Sequence, residues 1–144
     1  MNVTDLIASR TEVFSLPDTA TGHDVARFLR EKQVRSAGVL DAQGKLVGVV
    51  SQSDVSDKVA AENKCPAWTR VSEIMSTRLV TVTPETPLDE CVRLMDRHGI
   101  FHLAVVDPEK GFRGLISVQD LLKVIASDQK ARADMLEANI FPQR

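Results

Sequence analysis

The stretch GVVSQSD, Gly48 to Asp54, returns as GLISVQD, Gly114 to Asp120. Each copy is a glycine, two apolar residues, a serine and, three positions on, an aspartate. The copies lie 66 positions apart, and the same offset pairs Arg27 with Arg93, Val39 with Val105, Asp41 with Asp107 and Ala60 with Ala126. Residues 13–60 align on 79–126 without a gap. A repeat of this length is an internal duplication, so two copies of one supersecondary unit share the chain.

Each unit opens on a short apolar run, VFSL or LVTV, that reads as a strand. A helix follows. In the second unit Thr86 is expected to cap it with Pro87 at its first position. Leu88, Cys91, Val92 and Met95 recur at helical spacing as one buried stripe, and Gly99 stops the helix. Two strands come next, AGVL and KLVGVVS, or HLAVV and FRGLIS, joined by the turn-rich DAQG or DPEKG. Their nearly continuous apolar character predicts sheets covered on both faces. A second helix follows each Ser-x-x-Asp. The fold class is therefore α/β (α+β): two β-α-β-β-α units, with extra N- and C-terminal helices. The first domain is expected over 1–62 with an N-terminal helix over 3–9 capped by Thr4. A linker over 63–70 contains Pro66. The second domain runs over 71–144 with its last helix extended, and Met135, Leu136, Ile140 and Phe141 make its end apolar.

Composition narrows the function. The 144 residues carry a net charge of −2, 26% charged and 43% hydrophobic residues. That balance argues against a broad grip on nucleic acid or anionic lipid. No stretch reaches the ~18 apolar residues of a membrane span, and MNVTDLIASR, with no basic start and no long apolar run, is not expected to be a secretory signal. Cys65 and Cys91 lack zinc-site spacing, which reads as a reducing, cytoplasmic setting. His98 and His102 are four apart, but Gly99 breaks the helix between them, so no metal site is expected. Ser51 and Ser117 have no visible catalytic partners, so no enzyme and no required cofactor is expected.

Ser-x-x-Asp itself has two readings. Serine after a strand caps a helix, and the acid three residues on completes a capping box. In the second reading the same helix start suits phosphate, the aspartate accepts from a ribose diol, and neighbouring strand ends sandwich a base. The readings are compatible.

The run EIMSTRLVTVTPETPLDECVRLMDRHGIFHLAVVD from Glu73 to Asp107, continued by FRGLISVQDLL, resembles a CBS (cystathionine-β-synthase) domain. With the first half, residues 13–126 resemble a tandem CBS pair of the kind found in small stand-alone bacterial signal-transduction proteins. The resemblance implies two units packed sheet to sheet with pseudo-twofold symmetry. It also implies a regulatory, energy- or redox-sensing protein that binds AMP, ADP or ATP, with NAD(H) and S-adenosylmethionine as alternatives, in two clefts. Carried over by position, one cleft uses Ser51 and Asp54 against Val80, Ile100, Phe101 and His102. The other uses Ser117 and Asp120 against Phe14, Val34, Arg35 and Ser36. His102 or Arg35 is placed to reach phosphate. The family often has basic residues where this chain has Ser53 and Asp57, and Arg-His-Leu-Pro where it has Phe101 to Ala104. Those departures motivate the alternative, an interaction scaffold with vestigial clefts. A homodimer and an unknown regulated protein are the expected partners.

Overall fold

The computed structural model describes residues 1–140. Two three-stranded sheets repeat one topology. In the first, β1 (Ser15–Pro17) pairs in parallel with β2 (Ser36–Leu40), which pairs antiparallel with β3 (Leu46–Ser51). In the second, β4 (Thr81–Val82), β5 (His102–Asp107) and β6 (Gly111–Ser117) are joined in the same order and sense. The middle strands β2 and β5 each bury three successive residues, so both faces are covered where the apolar runs predicted it. Both hairpin turns close on an aspartate: Asp41 Oδ1 accepts from the Gln43 and Lys45 amides, and Asp107 Oδ1 from those of Glu109 and Lys110. The units pack around a pseudo-twofold, with β2 against β6. There the Phe112 ring fills the space a side chain would need at Gly38.

The helices follow the pattern with local differences. α2 (Gly22–Lys32) starts in a capping box between Thr21 and Asp24 and buries Val25 and Leu29. Those hydrogen bonds from Thr21 hold the Asp24 carboxyl below its ordinary range. It stops at Gln33 in the left-handed region, φ 56°, the position that matches Gly99, φ 62°, after α5 (Leu88–His98). α5 departs from expectation at its start. Pro87 is the N-cap, and the Thr86 hydroxyl instead accepts from the Thr83 amide at 3.0 Å, closing the turn before the helix. Val92 is 42% exposed, because the buried stripe runs through Cys91 and Met95 with Leu94 half-buried beside them.

The first N-terminal helix, α1 (Val3–Ile7), is shorter than expected and is capped by Asn2. The Thr4 hydroxyl donates to the Pro84 carbonyl instead, at 2.8 Å. Its docking side is unexpected. Val3, Leu6 and Ile7 pack into the core of the second unit, with Val82, Cys91, Leu103 and Ile116. Reciprocally, α4 (Val71–Ile74) sends Val71 and Ile74 into the core of the first, with Val25, Val39 and Val50. Each unit is thus completed by the helix that precedes the other in sequence. α3 (Gln52–Val55) runs on into a π-helical turn over Ser56–Ala60, and α6 spans Val118–Ile140. Of the apolar residues expected near the chain end, Phe141 and the side chains of Met135, Leu136 and Ile140 lie outside the described residues. No helix among the described residues is long and apolar enough to cross a membrane.

Candidate functional site

Each Ser-x-x-Asp closes a capping box at the end of a hairpin. Asp54 Oδ2 accepts from the Ser51 amide (2.8 Å) and hydroxyl (3.1 Å), and Ser51 Oγ accepts from the Asp54 amide (3.3 Å). Asp120 Oδ2 likewise accepts from the Ser117 amide (2.8 Å) and hydroxyl (3.0 Å), and Ser117 Oγ from the Asp120 amide (3.1 Å). Capping geometry fixes both carboxylates beside the ends of β3 and β6.

The glycine that opens each motif has its own reason. The lead-in of the opposite unit crosses the hairpin there. A Cβ on Gly48 would collide with Met75 Sδ, whereas one on Gly114 would meet Arg10 Nη1 only at ordinary contact distance, 3.6 Å. At Gly114 the reason is the backbone, whose φ of +122° is a conformation open to glycine.

The Ser–Asp pairs border two clefts between the units. A narrow cleft of about 280 Å³ gathers Ser51, Asp54, Val80, Ile100, Phe101 and His102, with Arg78 at its edge. A wide cleft of about 770 Å³ gathers Ser117, Asp120, Phe14, Val34, Arg35 and Ser36. The first volume falls at the lower edge of small-molecule sites, roughly 300–1,000 Å³, and the second well inside that range. All twelve residues singled out from the sequence therefore lie on the cleft to which they were assigned. The clefts adjoin, since Ser36, Phe101, His102 and Leu115 line both.

Their electrostatics differ. In the narrow cleft Lys58, one turn beyond Asp54, forms an ion pair with Asp54 Oδ1 at 3.1 Å and donates to the Ile74 carbonyl at 2.9 Å. Both oxygens of Asp54 are then engaged. In the wide cleft Arg10 Nη2 reaches Asp120 Oδ2 at 3.1 Å, and its Nη1 donates to the Leu115 carbonyl. Asp120 Oδ1 has no hydrogen-bond partner among the described residues. Burial pushes the His102 imidazole below its ordinary range, against the opposing pull of the Asp120 charge, so it is neutral at pH 7. Arg35 is exposed on the cleft wall and has no ion-pair partner among the described residues.

Sequence reasoning missed Lys58, Arg10 and Arg78. Lys58 was detectable by its i,i+4 spacing from Asp54. Arg10 lies before the aligned repeat, where nothing in the pattern points across the molecule to Asp120.

Two copies of one unit, each supplying a capped carboxylate to a cleft walled by the other, define a tandem-repeat pair with twin inter-unit clefts. The chain belongs to the CBS-domain family, whose model matches residues 3–61 and 71–127. Among solved structures it is similar to a CBS-domain protein of Burkholderia ambifaria assigned to signal transduction, with 28% identity and a TM-score of 0.80 over 90% of this chain and 96% of that one. It is also similar to a CBS-domain protein of Pyrobaculum aerophilum complexed with AMP, with 25% identity and a TM-score of 0.75 over 88% of this chain and 99% of that one. An uncharacterised protein of Methanopyrus kandleri is 28% identical over 116 residues, 81% of this chain. The chain spans 59% of that relative, and 22% and 37% of the next two curated relatives, so it corresponds to one part of each.

Proposed function

We propose that this CBS pair is a regulatory module that binds an adenine nucleotide in the clefts between its units and acts by binding, not by turnover. One observation carries the reading: the capped carboxylate of Asp120, whose Oδ1 has no hydrogen-bond partner among the described residues, borders a wide cavity that also presents Phe14, Val34, Arg35 and His102. The AMP complex of the Pyrobaculum relative supports the ligand class. Asp120 takes ribose hydroxyls, Phe14 and Val34 flank the base, and Ser117, Arg35 or His102 meets phosphate. AMP, ADP and ATP are the first ligands to try, then NAD(H) and S-adenosylmethionine. A ligand touching both units stabilises one arrangement of them, and a tenfold difference in affinity between arrangements is worth ~1.4 kcal/mol of bias.

The narrow cleft favours the other reading, a vestigial site within an interaction scaffold, because its volume is small and Lys58 already occupies Asp54. Isothermal titration of AMP, ATP and NADH into the parent, Asp54→Ala and Asp120→Ala separates the two. Binding abolished in Asp120→Ala and kept in Asp54→Ala assigns the ligand to the wide cleft. No heat with any ligand leaves a scaffold. The reading includes a homodimer, supported by Val92 on α5 and Leu122 and Ile125 on α6, apolar residues 42–58% exposed on two helices that pack together. A monomeric mass in light scattering at micromolar concentration would remove that part. The regulated element is an unknown protein or a fused segment, and the reading sets it in a reducing, cytoplasmic compartment.

A further inference from the structure

Arg10 breaks the pseudo-twofold. Where the lead-in of the second unit crosses β3, backbone meets backbone: the Val49 amide donates to the Ser76 carbonyl at 3.0 Å, and the Ser76 amide to the Val49 carbonyl at 2.8 Å. At the matching crossing over β6 no such backbone pair forms among the described residues. The Leu115 carbonyl, equivalent to that of Val49, accepts from the Arg10 guanidinium instead. The first lead-in is therefore held over the wide cleft by a side chain, and that side chain also grips the cleft's aspartate.

The grip is reversible and competes with a ligand. Arg10 and Asp120 are 32% and 30% exposed, so water reaches the pair. Asp120 Oδ2 already accepts from the Ser117 amide and hydroxyl as well as from Arg10. A cis-diol that engages both carboxylate oxygens must take the place Arg10 holds on Oδ2. The displaced guanidinium then needs another anion. Glu12, on the same lead-in, is already paired with Lys32 at 2.8 Å. A phosphate in the cleft supplies that anion, and the planar fork of arginine suits it. A neutral nucleoside supplies none. Lys58 in the narrow cleft is different, since it sits on the same helical run as Asp54, whereas Arg10 reaches Asp120 from the other unit.

From this asymmetry we infer that Arg10 is a latch on the wide cleft that makes it select phosphorylated over neutral nucleosides. The inference rests on the nucleotide reading above. Its test is calorimetric titration of adenosine and of AMP into the full chain as parent, Arg10→Ala and Arg10→Lys, with melting temperatures confirming that each folds. Arg10→Ala binds adenosine at least as tightly as the parent, and its preference for AMP over adenosine falls on the order of tenfold, as expected for the loss of a charge-assisted contact. Arg10→Lys, which keeps the charge without the fork, lies between. Adenosine binding that appears only in Arg10→Ala also supports the latch. An unchanged preference in Arg10→Ala overturns the latch and leaves the nucleotide reading standing. Silence toward both ligands in all three proteins overturns the nucleotide reading and the latch with it.

Discussion

At the scale of single residues, His102 is a cleft group whose protonation the fold displaces. It opens β5, pairs with Ser117 across the hairpin and lines both clefts. Burial holds its pKa below the usual 6.5, and the Asp120 charge only partly offsets that. The unfolded chain therefore takes up a proton at a pH where the folded chain does not. Stability from this residue is complete above about pH 6.5 and is lost as pH falls toward the folded-state value. Denaturant midpoints between pH 5 and 7.5 should decline toward acid, and His102→Gln should flatten part of that decline. An unchanged slope in the variant would mean that His102 titrates normally. The twelve cleft residues were legible because the repeat supplied two aligned copies and a family pattern to set against them. Arg10 was not, since an arginine at that position reads as a solvated charge until the chain is folded across the molecule.

At the scale of elements, the strands and long helices were legible and the helix starts less so. Proline at the first helical position was a reasonable expectation for Pro87, but Thr86 spends its hydroxyl on the Thr83 amide and leaves the cap to the proline backbone. The exchange of α1 and α4 was not legible at all, because a helix's own apolar pattern does not say which sheet it will cover. That exchange has a measurable consequence. Ile74 is fully buried in the core of the first unit although it precedes the second in sequence. Ile74→Ala leaves a cavity there and should destabilise the protein by about 2–5 kcal/mol. Hydrogen exchange would locate the damage: protection should fall first at the β2 and β3 amides, not at β5 and β6. Equal loss in both sheets, or loss confined to the second, would contradict the assignment of α4 to the first core.

Across the whole molecule the two units act on each other where β2 meets β6, and within that contact Gly38 lies under the Phe112 ring. A Cβ built on Gly38 lies 2.5 Å from two ring carbons, well inside contact distance, so alanine there forces the ring or the strand to move. Overpacking of this kind costs about 1–3 kcal/mol. The matching residue in the second unit is Ala104 and the residue matching Phe112 is Leu46. Gly38→Ala should lower stability, and adding Phe112→Leu should recover part of the loss, because the smaller side chain vacates the position the new methyl needs. A double-mutant cycle measures that coupling directly, and residues in contact give ~0.5–3 kcal/mol. Because the clefts lie between the same two units, Gly38→Ala should also weaken any ligand that must touch both, and the compensating change should restore affinity along with stability. If the two substitutions prove additive, the ring does not press on Gly38, and the junction of the units must be held by other contacts.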